Sequence, residues 1–590
     1  MTRPIAAILR GARHSAFHAI CVGSFLVLAA GGCGGAPNAT PSGLPTTPGK
    51  TSTVANVATG HPITFQDRAA SGGVQFVYQN GSESNRAAIL ESLGGGCGLF
   101  DFDRDQDLDI FFPGGGQYAG KDQLKGLPSA LYRNRGDWKF DPVTDQSGIG
   151  PVRHYTHGTA IADFDNDGFE DVLVTGYGGL QLWHNSGDGT FQDVTSAAHL
   201  DDTSWSTSAA WGDINGDGQL DLYVAHYVNW SFQNDPYCPG PTASQRETCS
   251  PRRFEPLPDV FYQSAGDGTF VDATKSVGLG ADGKGLGVMT ADFDLDGRLD
   301  IYVANDTVPN FLYRNLGGGK LKEIGNMSNT ALSDMATADG SMGVAVGDYN
   351  NDGLPDIWVV NYERESAALY RNEGNCFFLH VSQPTGVTSV GSLFVGFGTV
   401  FFDVDRDGDE DIWVSNGHVI KYPQNAPLKQ VPLIYENRDT KRFVNVAAQA
   451  GDYCTTPHVG RGVAKGDLDG DGDLDLVTTH TLEPHAVLDN TSPNDNGWLQ
   501  VRCIGRTSNR SAIGTRLSLK TSAGVRIRQV TGGGSYLSHS DLSVFWGIPK
   551  GITIQELTVQ WPSGIEQKVS PLAGNRVLTL IEPTGEAGSF

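Results

Sequence analysis

A nine-residue acidic pattern recurs along this chain and constrains its fold more than any other feature. In the stretch from Asp163 to Asp171, carboxylates occupy positions one, three, five and nine, and Gly168 occupies position six. Alternating carboxylates in a tight loop direct their oxygens at one centre, which is the arrangement that a hard cation such as Ca2+ requires. The glycine permits the sharp turn that returns the ninth residue to that centre.

The same spacing occurs seven times, which predicts up to seven Ca2+ sites. The predicted ligands are Asp101, Asp103, Asp105 and Asp109; Asp163, Asp165, Asp167 and Asp171; Asp213, Asn215, Asp217 and Asp221; Asp292, Asp294, Asp296 and Asp300; Asp348, Asn350, Asp352 and Asp356; Asp403, Asp405, Asp407 and Asp411; and Asp467, Asp469, Asp471 and Asp475. The first copy departs most from the pattern, because Gln106 replaces the glycine. One copy alone is compatible with a solvated acidic turn, whereas seven copies in one register favour cation binding. These loops are not EF-hands, since position twelve never carries the required Glu.

The period of the pattern predicts the fold. Successive loops are about 50 to 80 residues apart, a spacing typical of propeller blades. β-prone runs flank each loop, and turns such as Gly187-Asp-Gly-Thr190 are hairpin signals. We therefore expect an all-β, seven-bladed β-propeller over residues 60–495. A fourth-strand signal, Phe65-Gln-Asp67, precedes the first loop, so this early strand should pair with blade seven and close the ring.

A second repeated feature lies five residues before each loop. Six copies carry a glycine there, and the third copy carries Ser208. The six glycines are Gly96, Gly158, Gly287, Gly343, Gly398 and Gly462.

The C-terminal part of the chain has a different pattern. Residues 497–580 alternate apolar and polar side chains between Gly, Pro and Ser turns, which predicts a small β-sandwich-like domain docked on the propeller, with residues 581–590 as a tail. Arg510 lies in a Ser-Asn-Arg turn that is as compatible with a ligand site as with a purely structural role.

The N-terminal residues have the features of an export signal. Residues 1–33 combine early arginines with a short apolar run that ends in Leu28-Ala-Ala-Gly-Gly-Cys33, which resembles a bacterial lipobox with Cys33 as the lipidated residue. Ordinary signal cleavage is the alternative. Residues 34–59 are rich in Gly, Pro, Ser and Thr and predict a flexible linker. This organisation predicts an exported protein, lipid-anchored in the bacterial cell envelope and facing the periplasm or the cell surface.

Charge and cysteine content limit the possible partners and cross-links. The net charge of −25 and the lack of a basic patch argue against nucleic-acid binding. Cys238 and Cys249 flank a Pro-rich insertion, and in an exported protein this spacing predicts a disulfide. The spacing assigns no partner to Cys97, Cys376, Cys454 and Cys503.

Several of these residues carry a family resemblance. The glycine-led strands and acidic loops resemble the FG-GAP/VCBS repeats of integrin-α-type propellers. The tail motifs resemble an ASPIC/UnbV domain; they are Trp498-Leu-Gln-Val501, Ser508 to Gly514, Gly532 to Ser538 and Trp561 to Gln567. Together these motifs are similar to the cartilage acidic protein family in a bacterial lipoprotein version. The resemblance implies calcium binding and export, and it leaves the biochemical role undefined.

A candidate ligand site lies on the propeller face opposite the acidic loops. The loops on that face are polar, and we expect their side chains to converge near the central channel; they are His157, His226, Asn305, Asp306, Asn361, Asn416, His418, His458, Arg461 and His480. His157, His418 and His480 are the candidates for acid–base chemistry or for a transition metal. The alternative is that each side chain caps its own loop.

The sequence supports three functions of different classes. The first is an exported, membrane-anchored calcium-binding propeller that binds or adheres to an extracytoplasmic protein or glycan. The alternative is an enzyme that uses the His-rich face, with a second metal. A third is a structural envelope protein. The sequence has neither a Gly-x-Ser-x-Gly elbow nor a His-Glu-x-x-His motif, which favours a binding protein over an enzyme.

Overall fold

Antiparallel sheets of four strands account for most of the structure, a computed structural model that describes residues 62–242 and 244–584. Seven of these sheets follow one another along the chain, and we number them blades 1 to 7. The described residues all belong to one compact unit. The predicted signal segment 1–33 with Cys33, the linker 34–59 and the last six residues of the tail lie outside the described residues.

Each blade is built from strands of three to eight residues, and the acidic loop joins its first strand to its second. The strands are, for blade 1, Gly98–Phe100, Asp109–Phe112, Ala130–Asn134 and Phe140–Pro142; for blade 2, Tyr155–Ala162, Asp171–Tyr177, Gly179–Asn185 and Phe191–Asp193; for blade 3, Ser206–Gly212, Asp221–His226, Val260–Ser264 and Phe270–Asp272; for blade 4, Gly285–Ala291, Asp300–Asn305, Phe311–Asn315 and Leu321–Glu323; for blade 5, Val344–Gly347, Asp356–Val359, Ala368–Asn372 and Phe378–His380; for blade 6, Gly396–Phe402, Asp411–Asn416, Leu433–Arg438 and Arg442–Asn445; and for blade 7, Gly460–Gly466, Asp475–His480, Ala486–Asn490 and Phe65–Asp67.

The seven blades form a closed ring. The first strand of each blade contacts the first strand of the next, and that of blade 7 contacts that of blade 1. As expected, the N-terminal strand Phe65–Asp67 completes blade 7, with Phe65 opposite Asn490. This pairing joins the two ends of the array and leaves no gap between blade 7 and blade 1. The all-β propeller prediction is confirmed.

Alternating side chains of each strand pack against different neighbouring blades. In the second strand of blade 2, Val172 belongs to an apolar cluster shared with blade 1, which includes Phe111, whereas Leu173 belongs to the cluster that includes Leu222 of blade 3. Both faces of a blade are therefore buried, and its strands are apolar on both sides. The fourth strand of blade 5 begins at Phe378, and the preceding Phe377 is exposed.

The C-terminal domain consists of two packed sheets. In the first, Gly497–Ile504 lies between Val544–Ile548 and Val577–Ile581; in the second, the order is Gly524–Gln529, Arg516–Thr521, Ile554–Gln560 and Glu566–Val569. Buried side chains of both sheets, among them Leu499 and Leu517, share one apolar cluster, as in a sandwich.

A loop of this domain enters the propeller, which the sequence did not predict. Residues Gly532 to Ser540, the channel segment, lie among the first strands of all seven blades, and Gly532–Gly533 adds a fifth strand to blade 4. The segment is hydrogen-bonded to each blade in turn, through Leu99, Thr159, Ser208, Val288, Val344, Thr399 and Lys465. The C-terminal domain is thus inserted into the propeller and fills its channel, rather than only docking on its surface.

Some of the glycines that precede the acidic loops leave room for this segment. A Cβ atom at Gly96 would lie 1.7 Å from the carbonyl oxygen of Leu537, and one at Gly462 would lie 2.3 Å from Ser538 Oγ. Ser208, the exception, donates its hydroxyl proton to the Leu286 carbonyl and accepts the Leu537 N–H at 3.1 Å. At Gly343 and Gly398 a Cβ would instead meet the first strand of the next blade, with Phe397 O at 1.9 Å and Arg461 O at 2.5 Å. The repeated glycine therefore follows from close packing around the channel, against the channel segment or against the next blade.

The remaining elements are short. Single helical turns follow several blades: the α-helical turns are Ala69–Gly72, Thr144–Ser147, Thr274–Val277, Gly325–Ser328, Ser382–Thr385 and Asp452–Thr455, and the 3-10 turns are Ser82–Ser84, Ile89–Ser92, Pro251–Arg253, Val387–Val390 and Ala447–Gln449. Two hairpins extend the face opposite the acidic loops; they are Gly116–Gly120 with Gln123–Gly126 and Cys238–Pro239 with Arg246–Glu247. In the second insertion Cys238 and Cys249 form a disulfide, with 5.4 Å between their Cα atoms. No helix in the described part of the chain is long and apolar enough to cross a membrane.

Candidate functional site

The seven acidic loops share one hydrogen-bond scheme. In blade 2, Asp171 Oδ2 accepts the Phe164 N–H at 3.2 Å and its Oδ1 accepts the Asn185 N–H at 2.8 Å. The corresponding bonds occur at all seven ninth-position residues, Asp109, Asp171, Asp221, Asp300, Asp356, Asp411 and Asp475. The ninth Asp therefore ties its loop to the third strand, a role that the spacing alone did not reveal.

The third-strand asparagine connects each blade to the one before it. Asn185 Nδ2 donates to the Phe102 carbonyl at 2.8 Å, and Asn315 Nδ2 donates to the Ile214 carbonyl at 2.8 Å. The same bond is made by Asn134, Asn372, Asn437 and Asn490. Blade 3 has Ser264 at this position. The repeated Asn at the end of the third strand was the sequence signal for this contact.

Position six of each loop adopts the left-handed conformation that was expected of glycine. Gly168 has φ +101°, and Gln106 of the first loop has φ +80°. The Gln106 N–H donates to Asp101 Oδ2 at 3.0 Å, as the Gly168 N–H donates to Asp163 Oδ2 at 2.7 Å. The first turn therefore forms in spite of Gln106. A residue other than glycine is strained in this left-handed backbone conformation.

The donor atoms of the loops fit a hard divalent cation. Oxygens of Asp163, Asp165 and Asp171 lie within 4.8 Å of one another, as do those of Asp101, Asp103 and Asp109. Several buried carboxylate oxygens have no hydrogen-bond partner, including Oδ1 of Asp101, Asp103 and Asp403. Burial raises the pKa of Asp163 to about 7, and the charges of Asp167 and Asp165 act in the same direction. An all-oxygen set that stabilises a central positive charge is the chemistry of Ca2+ sites.

The loops differ in the side chain that precedes the third-strand Asn or Ser. In blade 1 the Arg133 guanidinium lies 2.6 Å from Asp103 and 3.2 Å from Asp105, and in blade 4 Arg314 lies 2.5 Å from Asp294. In blade 2 this residue is His184, whose Nε2 lies 3.2 Å from Asp165 Oδ2. Protein cations therefore contact the carboxylates in some loops and not in others, so the seven loops are chemically distinct.

The C-terminal domain covers the acidic loops. Ser511 Oγ accepts the Asp163 N–H at 3.0 Å, and Gln529 Oε1 accepts the Asp292 N–H at 2.9 Å. Asp403 Oδ2 accepts the Gly547 N–H at 2.8 Å. Arg528 Nε lies 3.1 Å from Glu410 Oε1, and Arg510 donates its backbone N–H to Asn166 Oδ1 at 2.7 Å. The acidic loops therefore lie at the interface between the propeller and the C-terminal domain.

On the opposite face, the three candidate histidines lie in separate hydrogen-bond networks. His157 Nδ1 lies 3.0 Å from the Gly94 carbonyl. His480 Nδ1 lies 2.6 Å from the Pro484 carbonyl, and its Nε2 lies 2.8 Å from the Tyr453 hydroxyl. Burial lowers the pKa of both imidazoles to about 4. The expectation that these three side chains converge near the central channel is wrong, because the channel segment fills the channel and each imidazole has different hydrogen-bond partners.

The hydrogen bonds of His418 fix its tautomer. Its Nδ1 accepts the N–H groups of Val419 and Ile420, at 3.0 and 3.2 Å. The single proton of the neutral imidazole is therefore on Nε2, which lies 3.6 Å from Glu363 Oε2. A neutral imidazole that binds a metal through Nε2 needs its proton on Nδ1, which here faces two donors. This arrangement argues against His418 as a transition-metal ligand.

A cavity of about 350 Å3 opens on this same face above the tip of the channel segment. Its walls come from five blades and from the disulfide-linked insertion; they include Leu93, Tyr227, Leu286, Asp306, Met342, Tyr362, Glu365, Phe397, Val419 and Tyr536. Of the ten polar residues predicted for this face, only Asp306 lines the cavity. Sequence reasoning missed Tyr362 and Glu365, which follow the end of the second strand of blade 5 directly after Asn361.

The floor and rim of the cavity differ in chemistry. On the floor, the Tyr536 ring packs edge-on against Phe397 with 4.9 Å between centroids, and Arg461 stacks on Phe397 from below at 4.1 Å. At the rim, Asp306 accepts the Tyr227 hydroxyl and Glu365 accepts the Gly340 N–H at 2.7 Å. Burial raises the pKa of Asp306 to about 6. The cavity thus offers aromatic surface beside carboxylate acceptors.

Comparisons with known proteins support the two-part architecture. The ASPIC and UnbV family profile matches residues 505–587, and the FG-GAP-like repeat profile matches residues 101–174, 163–224, 256–303, 292–359 and 348–414. The chain is 26% identical over 506 residues to cartilage acidic protein 1 of Xenopus tropicalis, covering 72% of this chain and 73% of the relative. It is 24% identical over 521 residues to the Homo sapiens protein of the same name, covering 84% of this chain and 73% of the relative.

Among solved structures, a lectin from Burkholderia pseudomallei aligns with a TM-score of 0.40 at 10% identity, covering 68% of this chain and 97% of the lectin. FG-GAP-type repeats that form a propeller are consistent with a binding or adhesion protein.

Proposed function

Because the chain belongs to the cartilage acidic protein family, with FG-GAP repeats and a C-terminal ASPIC/UnbV domain, we propose that it is an exported, calcium-stabilised binding module. It takes an extracytoplasmic protein or glycan into the cavity above Tyr536. The observation that carries this proposal is the cavity itself, which combines aromatic and carboxylate groups on the face that the C-terminal domain leaves open.

The cavity is pre-organised for binding. Glu247 of the insertion accepts the N–H groups of Lys421 and Tyr422 at 2.6 and 2.8 Å, so the disulfide-linked insertion is fixed to the loop of blade 6. Tyr536 donates its hydroxyl proton to the Leu93 carbonyl at 3.1 Å. The walls are therefore ordered before a partner binds. Binding then costs less conformational entropy, which favours affinity. Aromatic rings beside polar acceptors are common in sites that bind proteins and sugars.

Calcium has a structural role in this proposal. Ca2+ in the acidic loops would neutralise carboxylates that otherwise repel one another at the interface with the C-terminal domain. Extracellular modules bind Ca2+ at about 10⁻⁴–10⁻³ M, a concentration range that exported proteins meet. The ion would hold the domain that fills the channel and supplies Tyr536 to the cavity.

Export and anchoring rest on the N-terminal sequence alone. Cys33 would carry the lipid, and residues 34–59 would separate the propeller from the membrane surface. Replacement of Cys33 by Ser should move the protein from the membrane fraction to the soluble fraction without a change in its thermal unfolding.

An enzyme on the His-rich face receives no support from the geometry. His157, His418 and His480 do not share a network, and His418 is held in a tautomer that does not suit metal binding. We therefore propose a binding function and no catalytic one.

The test is ligand capture by cavity variants. Wild-type protein is screened in excess Ca2+ against immobilised glycans and extracytoplasmic proteins. The affinity for each ligand found is then measured with Glu365→Arg, which replaces a carboxylate of the cavity by a longer, positively charged side chain. Glu566→Arg on the exposed surface of the C-terminal domain is the charge-matched control. We expect Glu365→Arg to weaken binding at least tenfold and Glu566→Arg to leave it unchanged. Equal binding by both variants would place the ligand elsewhere.

A further inference from the structure

One of the four buried free cysteines in the described part of the chain lies against an acidic loop. Cys97, Cys376, Cys454 and Cys503 are all free and buried. Cys376 occupies the turn between the third and fourth strands of blade 5, and this turn reaches over the loop of blade 4. Its Sγ lies 3.7 Å from Asp300 Oδ2. A thiol therefore borders a site that the sequence pattern describes with oxygen ligands alone.

The thiol and two carboxylates form a compact set of donors. Cys376 Sγ and oxygens of Asp294 and Asp300 all lie within 4.8 Å of one another. The Asp294 side chain is only 3% exposed, and Arg314 contacts its Oδ2 at 2.5 Å. Its Oδ1 is buried and has no hydrogen-bond partner. A buried carboxylate oxygen without a partner is costly, and a bound cation would remove that cost.

We propose that Asp294, Asp300 and Cys376 form a site for a thiophilic divalent cation of the Zn2+ class. Zn2+ accepts mixed thiolate and carboxylate ligands, whereas Ca2+ takes oxygen ligands and has little affinity for sulfur. On binding, the Cys376 thiol releases its proton to solvent and the thiolate bonds to the metal. Asp294 would offer Oδ1 and keep Oδ2 on Arg314.

The sulfur makes this loop different from the others. The residue that corresponds to Cys376 is Trp138 in blade 1 and a glycine in blades 2, 3 and 4, namely Gly189, Gly268 and Gly319. Since Asp294 and Asp300 are also predicted Ca2+ ligands, a thiophilic ion would replace Ca2+ in blade 4 and leave at most six loops for calcium. This inference does not depend on the cavity on the opposite face, so either proposal can fail without the other.

The experiment uses Cd2+ as a spectroscopic probe for the full-length protein. The protein is stripped with chelator, exchanged into excess Ca2+ and titrated with Cd2+ while the ultraviolet charge-transfer absorption of Cd2+–thiolate bonds is followed. We expect one equivalent of Cd2+ to bind with this absorption in wild type and the absorption to be lost in Cys376→Ser. Cys454→Ser is the matched control, because that buried thiol lies in the apolar cluster of blades 6 and 7, and it should titrate like wild type.

A second variant keeps the test decisive if Cys376→Ser fails to fold. Asp294→Asn leaves the thiol in place and removes one of the two carboxylate ligands, and it should weaken Cd2+ binding at least tenfold while the absorption at saturation is retained. Lack of thiolate absorption in wild type at saturating Cd2+, or absorption that survives in folded Cys376→Ser, would overturn the proposal.

Discussion

The two faces of the propeller use the same blades for opposite purposes. The acidic-loop face repeats one hydrogen-bond scheme seven times and is covered by the C-terminal domain, with Arg528 against Glu410 and Ser511 against Asp163. The opposite face is less regular: its loops differ in length, two carry hairpins, and they surround one cavity. A repeat fixed by backbone contacts suits stability, whereas loops free of that constraint can vary and carry recognition.

The channel segment connects the two faces. It leaves the C-terminal domain on the acidic side and turns beneath the cavity, where Tyr536 donates its hydroxyl proton to the Leu93 carbonyl. The comparison therefore predicts that changes on the acidic face act first on stability, and that changes on the opposite face act first on binding.

Removal of Ca2+ should have the largest effect. A site that is filled at a hundredfold excess over its Kd adds about 2.7 kcal/mol to stability, so several such sites should together shift the melting temperature by on the order of 10 °C. Calorimetry with and without chelator measures this shift, and limited proteolysis should show cleavage of the C-terminal domain before the insertion with Cys238. An unchanged melting temperature in chelator would refute structural calcium.

Single-loop variants refine that prediction. Asp403→Ala should destabilise more than Asp105→Ala, because Asp403 also accepts the Gly547 N–H whereas Asp105 is a third exposed and contacts Arg133. If Asp105→Ala destabilises the protein more than Asp403→Ala, the loss of stability does not come from the attachment of the C-terminal domain.

On the opposite face, the His226–Asp202 ion pair should give a pH-dependent stability. Nε2 of His226 lies 2.7 Å from Asp202 Oδ2; the side chains are 2% and 9% exposed, respectively. Burial alone would raise the pKa of Asp202, but the His226 hydrogen bond and charge lower it to about 2. Burial alone would lower the pKa of His226, but Asp202 raises it above its usual value.

The two shifts define the pH window. The Asp202 contribution is complete above that residue's ordinary pKa of about 4 and is lost as the pH falls towards 2; the His226 contribution is complete below its ordinary pKa of about 6.5 and is lost as the pH rises through its raised value. Asp202→Asn should therefore cost about 3 kcal/mol in denaturant unfolding at pH 5, in excess Ca2+, and less at pH 9. A cost that is the same at both pH values would show that the pair is not ionised.

Ser208→Ala should have a smaller effect, confined to the channel. The variant leaves the buried Leu537 N–H without its acceptor, which costs about 1–3 kcal/mol. Denaturant unfolding measures this loss, and Ser84→Ala on the exposed surface is the control. If Ser208→Ala is as stable as the control, the channel segment is not anchored at blade 3.

Gln106→Gly should give the smallest change, and it should be stabilising. Relief of a left-handed non-glycine residue is worth about 1–2 kcal/mol, from which the added freedom of the unfolded chain removes about 0.4–1 kcal/mol. Gly297→Gln is the reverse control, since its φ is +86° and a Cβ there meets no atom within 4 Å. Thermal unfolding should rise slightly for the first variant and fall for the second.

The sequence predicted the features that depend on neighbouring residues. The acidic loops, the hairpin turns and the period of the blades are local patterns, because each is specified by side chains within a few residues of one another. The closing strand at Phe65 also followed from the order of the pieces, since an unpaired fourth strand at one end of the chain matched a missing one at the other. Among the predicted site residues, the ninth Asp of each loop lies where the spacing placed it, although its bonds to the third strand were not foreseen.

The tertiary structure decided what lies between distant residues. Ser208 and Leu537 are 329 positions apart, and neither one's surroundings reveal that a loop of the C-terminal domain crosses the channel and turns a glycine position into a serine position. The opposite-face histidines were polar residues at strand ends, but their partners come from distant parts of the chain, as His157 bonds to the Gly94 carbonyl and His480 to the Tyr453 hydroxyl. A blade can be predicted from the local side-chain pattern because its turns and strand pairings form between residues that are close in sequence. The channel segment, the cavity and the Cys376 site depend instead on which blades become neighbours after the ring closes.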